Sequence, residues 1–233
     1  MKARRDGYLL ALTRHALLVV AGLGTILVPI SANADGLAID AAGNLFVGDG
    51  HSVFKYTPDG TRSTFATGLK YPLGLCFDRE GNLFVSDRAV TDAKSSILKF
   101  TPDGKRSTFA TGISSVGMAF DRSGNLFVSQ DDSIFKFTPK GVKSTFVTPK
   151  KANFIDLAVD GANNLFVVDE GWPVSIVKIT PEGAKSTFAA DLENLRDLTV
   201  DATGNVYVSS DHAILRLTPD GTKNTFSSAR GAD

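Results

Sequence analysis

Few residues of this chain could do chemistry. Asp156 and Asp197 stand at matching places in two copies of a repeated segment, where three other copies have Gly36, Gly74 and Gly117. Paired carboxylates facing a channel could bind a cation or divide acid and base roles between them. Their plainer use is hydrogen bonding to adjacent backbone. His51 and His212 also match in repeat position, with Asp49 and Asp211 beside them. Imidazole and carboxylate suit a small metal site, although histidines in such places also serve as ordinary exposed loop residues. The stretch Asp169-Glu170-Gly171-Trp172-Pro173 carries the chain's one tryptophan. An exposed indole can stack on a sugar or anchor a protein partner, with Asp169 and Glu170 beside it. Alternatively, Trp172 packs on Pro173 and stiffens the loop.

Other chemistries lack their residues. No Ser-His-Asp order, Cys-His pair, phosphate loop or zinc-spaced cluster is present. The single cysteine, Cys76, excludes an intramolecular disulfide. It fills the slot of Ala38, Ala119, Ala158 and Thr199, so it reads as a small packed residue rather than a reactive thiol. The 233 residues carry no net charge, and residues beyond 34 hold 21 basic and 24 acidic side chains. Nothing there makes the concentrated basic face of a nucleic-acid binder. Lys150, Lys151 and Arg88 read as a solvated rim.

The elements that position these residues are five copies of one unit. They begin at Gly36, Gly74, Gly117, Asp156 and Asp197, and the matching aspartates Asp40, Asp78, Asp121, Asp160 and Asp201 are spaced by 38, 43, 39 and 41. A period near forty residues marks a repeat architecture. All sixteen phenylalanines lie inside the repeats. Each copy reads as four short strands. The first is followed by an Asp-x-x-Gly-Asn turn, whose aspartate can bond turn amides and whose glycine suits a left-handed position. Asn163 replaces that glycine in the fourth copy and is the next-best residue there. The second strand is Leu-Phe-Val (Val-Tyr-Val at 206–208), three apolar residues in a row, which predicts a sheet buried on both faces. The third admits a Lys or Arg and ends in Thr-Pro-x-Gly, a turn signature. The fourth, Ser-Thr-Phe, has the polar character of an outer edge. Small four-stranded sheets covered on both faces stack around an axis, which predicts an all-β fold, a β-propeller, with no helix longer than a turn.

The segment GLAID-AAGNLFVGD followed by SVFKYTPDG resembles an NHL repeat, and the copies also resemble blades of the gluconolactonase-like (senescence marker protein-like) propellers. The resemblance covers 36–233. It implies a propeller, commonly of six blades; five are countable here (36–73, 74–116, 117–155, 156–196 and 197–233), with a closed five-bladed ring favoured over an open or truncated one. Gluconolactonase-like enzymes hold a divalent metal with a glutamate, an asparagine and an aspartate, the last two lying two positions before the inner-strand leucine. Those slots here hold Leu73, Val116, Ile155 and Arg196, with Asp35 alone of suitable chemistry. Hard cations want oxygen donors, so the lactonase activity does not carry over residue by residue.

Met1 to Ala34 looks like a secretory signal peptide. Lys2, Arg4, Arg5 and Arg14 precede or open an uncharged apolar run from Ala16 to Ile30, and Ala32-Asn33-Ala34 fits a small-x-small cleavage site. A retained signal anchor is the alternative. The protein is therefore expected to be secreted or periplasmic, with a propeller over 35–233 and no membrane contact beyond the signal segment.

The repeated turns should share one rim and read as structure. Connections between strands two and three, and between copies, should share the other rim, and they vary. Variable loops on a rigid scaffold are where binding is expected. The expectation is a non-catalytic binding module for a protein or carbohydrate, with Trp172 first and Asp156/Asp197 second. No cofactor is expected. The alternative is a divergent metal-dependent lactonase or hydrolase with a divalent cation.

Overall fold

The computed structural model describes residues 9–13, 16–21, 24–28, 34–115, 117–148, 152–171, 173–210 and 213–228. Ahead of the repeats, β1 (Leu9–Thr13), β2 (Ala16–Ala21) and β3 (Gly24–Val28) form an antiparallel three-stranded sheet. The five repeats are five four-stranded antiparallel sheets, the blades of a β-propeller. Blade 1 holds β4 (Ala34–Ile39), β5 (Leu45–Asp49), β6 (Ser52–Tyr56) and β7 (Arg62–Ala66). Blade 2 holds β8 (Pro72–Phe77), β9 (Leu83–Asp87), β10 (Ser96–Phe100) and β11 (Arg106–Thr111). Blade 3 holds β12 (Met118–Phe120), β13 (Leu126–Gln130), β14 (Ser133–Phe137) and β15 (Lys143–Val147). Blade 4 holds β16 (Phe154–Val159), β17 (Leu165–Asp169), β18 (Ser175–Ile179) and β19 (Lys185–Ala189). Blade 5 holds β20 (Leu195–Val200), β21 (Val206–Ser210), β22 (Ala213–Leu217) and β23 (Lys223–Ser228). Among the described residues the helical element is one turn, Asp92–Lys94. The chain divides into two compact units, Ser31–Pro149 with blades 1 to 3, and Met1–Ile30 with Lys150–Asp233, which contains blades 4 and 5.

The turns form as their residues require. Oδ1 of Asp78 accepts the Asn82 backbone N–H at 2.8 Å, and its Oδ2 accepts from Asn82 Nδ2 at 2.7 Å. Asp40, Asp121, Asp160 and Asp201 make the same pair of bonds. Gly81 sits at φ 80° and Asn163 at φ 65°, the left-handed region both residue types tolerate.

The middle strands are buried on both faces, as three consecutive apolar residues demand: Leu83, Phe84 and Val85 are no more than 3% exposed. Within each unit, successive blades therefore pack on one another. Within the first unit, Phe84 meets Phe109 of its own blade and Phe120 of the next, both edge-on with centroids about 5 Å apart (5.1 and 4.9 Å). Such T-shaped contacts put the positive ring edge on the negative ring face. Phe46 repeats the motif with Phe65 and Phe77. In the second unit, Phe166, Val168, Leu195, Leu198 and Val206 belong to one core between blades 4 and 5. The outer strands begin with three exposed residues each, as in Arg62-Ser63-Thr64 of β7, which suits a polar edge.

Two bulges recur that residue patterning alone did not predict. The register slips between strands three and four of every blade, as at Ile97/Leu98. It slips again near the start of the inner strand in blades 1, 2, 4 and 5. A bulge inserts an unpaired residue and re-aims its neighbours.

Candidate functional site

The inner-strand bulges of blades 4 and 5 position the carboxylates. In β16, Phe154 pairs with Asp169 and Asp156 with Val168, leaving Ile155 as the extra residue. In β20, Leu195 pairs with Ser210 and Leu198 with Val208, so Arg196 and Asp197 together face Ser209. The Asp197 backbone N–H donates to Ser209 Oγ at 3.1 Å, and that hydroxyl lies 3.3 Å from the Asp197 carbonyl oxygen. Asp156 is half-buried and Asp197 exposed. Across the blade boundary, Oδ2 of Asp156 accepts the Leu198 backbone N–H at 2.8 Å.

Burial, and then the Asp197 charge, push the Asp156 carboxyl far above the ordinary carboxylate range, to about 8, against the lowering pull of the Leu198 and Leu157 N–H groups. At neutral pH it therefore holds a proton much of the time. A protonated carboxyl beside a second aspartate can give its proton to a base, or release it to water when a cation binds.

Glycine at this slot does something else. A Cβ on Gly36 would lie 2.2 Å from the Leu73 carbonyl oxygen, so in blade 1 the next blade's backbone occupies that space. In blade 4 the Asp156 side chain makes the cross-blade bond instead. The sequence expectation that this aspartate bonds neighbouring backbone describes the bond its side chain makes here.

The positions that the family resemblance assigns to metal ligands are unsuited to it. Leu73 and Ile155 are half-buried and Arg196 is exposed, while Val116 lies outside the described residues. Ile155 packs against the core between blades 4 and 5. Hydrocarbon side chains give a hard cation no oxygen.

On the variable rim, Asp169 is half-buried, and its Oδ1 accepts the N–H groups of Asn153 (2.9 Å) and Gly171 (2.8 Å). The Glu170 N–H donates to the Asn153 carbonyl at 2.8 Å, leaving its exposed carboxylate 3.4 Å from Asn153 Nδ2. These bonds fix the chain entering Trp172, which itself lies outside the described residues. His51 is exposed, with Nδ1 at 2.8 Å from the Lys70 carbonyl oxygen and 3.1 Å from that of Leu69. That nitrogen donates to the loop between blades 1 and 2. Asp49 is half-buried at the end of β5, and Asp211 and His212 lie outside the described residues. Among the described residues, no three His, Cys, Asp or Glu side chains gather as a metal site.

Asp87 was not singled out by the sequence. It is 1% exposed, and Oδ1 accepts the N–H groups of Lys70 (2.6 Å) and Tyr71 (3.0 Å). It clasps the loop ahead of blade 2 as Asp169 clasps the loop ahead of blade 4. The recurrence of aspartate at 49, 87 and 169, at the end of the second strand, was the available signal. A buried serine set also escaped notice: Ser86 Oγ donates to the Ser115 carbonyl (2.7 Å), Ser115 Oγ to that of Gly117 (2.9 Å), and the Gly117 N–H to Ser129 Oγ (3.1 Å). The Cys76 thiol is raised well above its ordinary value by burial and then by the Asp78 charge, as befits a packed residue.

A cleft of about 320 Å³ opens between blades 2 and 3 on the rim of repeated turns, opposite the rim favoured from sequence. Its floor is the Phe84, Phe109 and Phe120 cluster, and Lys99 on its wall pairs with Asp78 at 3.5 Å. Blade packing and an internal ion pair account for that lining.

No protein-family model matches this chain, and no curated protein sequence matches it. Solved structures do. A gluconolactonase from Xanthomonas campestris is similar at 17% identity and a TM-score of 0.72, over 85% of this chain and 76% of that one. A catalytically inactive virginiamycin B lyase from Staphylococcus aureus, solved with quinupristin, gives 16% identity and 0.71, over 91% and 77%. A streptogramin B lyase gives 16% and 0.68, over 91% and 73%. At these identities the likeness establishes the fold: this chain shares the β-propeller of gluconolactonase-like and virginiamycin B lyase proteins.

Proposed function

We propose that this chain is an exported β-propeller that binds a protein or carbohydrate ligand on its variable-loop rim and performs no chemistry of its own. The observation carrying this reading is the substitution of Leu73, Ile155 and Arg196 at the places where the resemblance puts metal ligands. The nearby rim carboxylates of Asp87 and Asp169 are spent on loop amides, so the rim is built to hold its loops in shape. Asp169 and Glu170 lead into Trp172, the first residue to test, and Asp156 with Asp197 is a second polar feature. The test is a thermal melt of the purified protein with EDTA, with excess Ca²⁺, Mg²⁺, Mn²⁺ or Zn²⁺, and with a glycan panel. A ligand at a hundred times its dissociation constant adds about 2.7 kcal/mol. A glycan-specific rise lost in Trp172→Ala supports the reading, and a rise confined to one divalent metal overturns it.

A second reading is a divergent lactonase-like hydrolase. The raised Asp156 carboxyl beside Asp197 favours it, since a proton donor poised near neutrality is what general acid catalysis needs, and one structural neighbour is a gluconolactonase. Its test is proton release from aldonolactones, compared with Asp156→Asn. Turnover that the variant abolishes would establish this reading over the first.

A further inference from the structure

Two of the large apolar side chains most exposed to solvent, Tyr71 (48%) and Val90 (103%), lie on neighbouring loops of blade 2. They belong to separate loops, 67–71 ahead of β8 and 88–95 between β9 and β10, which the backbone ties into one surface. The Arg88 N–H donates to the Tyr71 carbonyl at 2.9 Å. The buried Asp87 carboxylate holds the amides of Lys70 and Tyr71. The long loop is fastened from beneath by Ser95, 1% exposed, whose Oγ accepts the Ala89 N–H at 2.8 Å. The Ser95 carbonyl accepts the Gly112 N–H at 2.9 Å, and the single turn Asp92–Lys94 closes its far side. A fully exposed valine at the tip of so well-anchored a loop does nothing for the fold.

The charge around this tip is lopsided. Within the two loops Lys70, Arg88 and Lys94 are exposed, against Asp92, and the Asp87 carboxylate just ahead of Arg88 is buried. The Lys70 ammonium donates to the Lys94 backbone carbonyl, which adds a side-chain tie between the two loops.

We propose that this tip docks a protein partner whose surface offers an apolar socket for Val90 and Tyr71, edged by carboxylates for Arg88, Lys70 and Lys94. The proposal rests on the binding-module reading and gives its rim a partner class. Tyrosine and arginine are the residue types that anchor interfaces, and a loop already held in shape loses little conformational entropy on binding. Complementary charge steers the encounter and weakens with added salt.

The experiment pans a displayed random-peptide library on the immobilised full chain, then measures the enriched peptides in solution. The expected winners combine an aliphatic or aromatic residue with Asp or Glu. Val90→Asp should weaken them about tenfold or more, the scale of an interface anchor. Arg88→Glu should shift selection toward basic peptides, a reversal that a merely structural role would not produce. Both side chains are exposed, so unchanged melting of the variants is the control for folding. Winners that ignore Val90→Asp and Arg88→Glu but lose binding in Trp172→Ala would overturn the tip while leaving the binding rim intact. If no peptide binds and lactone turnover is found, both fall. Sedimentation with phosphatidylserine/phosphatidylcholine vesicles that depends on Val90 and Arg88, with no peptide selected, would make the tip a membrane contact and also overturn the proposal.

Discussion

The carboxylate of Asp156 in β16 accepts the backbone N–H of Leu198 in β20 at 2.8 Å, joining the inner strands of blades 4 and 5 by a side chain. The donor follows Asp197 in the chain, so the bond brings the backbone of the second aspartate next to the first. Ionising Asp156 there is opposed first by burial and then by the Asp197 charge.

That cost should be read out by pH. The folded-state carboxyl of Asp156 is raised above its ordinary 3.8, to about 8, so the native protein binds more protons than the unfolded one between those values. Its contribution to stability is complete below about pH 4 and is lost as pH rises through 8. Asp156→Asn keeps an oxygen for the Leu198 N–H and removes the titration. Melting curves should show the variant matching the parent near pH 4 and gaining steadily to pH 8, by up to about 6 kcal/mol at about 1.36 kcal/mol per unit between 3.8 and about 8, with no further gain above. A constant difference across the range would show that the carboxyl is not perturbed.

Asp87→Ala should be costly although the residue touches no ligand. It leaves the amides of Lys70 and Tyr71 without their acceptor, and bonds to a charged acceptor contribute about 1.5–3 kcal/mol each. A loss of about 3 kcal/mol in urea unfolding is expected, with faster hydrogen exchange at Lys70 and Tyr71. Exchange unchanged at those two amides would contradict the clasp.

At position 163 the backbone decides. Asn163 adopts φ 65°, so Asn163→Gly should alter stability by no more than about 0.5 kcal/mol, while Asn163→Val should cost about 1–2 kcal/mol. Equal melting temperatures for the two variants would contradict the turn.

Ser86→Ala tests the buried serine set. The substitution leaves the Ser115 carbonyl without its 2.7 Å donor inside the blade 2–3 packing, a loss of about 1–3 kcal/mol. Ser86→Thr retains a donor but adds a methyl group to a filled space, so it should recover only part of that loss. The check is denaturant unfolding of both variants.

Much of this was legible because the chain states it five times. The Asp-x-x-Gly-Asn turn, the buried Leu-Phe-Val strand and the Thr-Pro-x-Gly corner depend on residues within a few positions of each other, and Asn163 for glycine was readable as a backbone demand. The bulges were not legible, because a register slip depends on the partner strand. Asp156 could be picked out as a departure from glycine, yet its bond to Leu198 spans 42 residues and no local pattern announces it. Val90 was passed over because an exposed valine in a loop looks unremarkable until Asp87 and Ser95 show how firmly that loop is held.

In every described sheet, hydrogen bonding runs between strands consecutive in the chain. No strand there waits for a partner made much later, so each blade closes by short local loops, the topology that favours rapid folding. A chain emerging gradually from a ribosome or a translocation pore could complete one blade before the next was available. Pulse-labelled hydrogen exchange during refolding would reveal it as protection gained in middle strands before blade-to-blade aromatic contacts form.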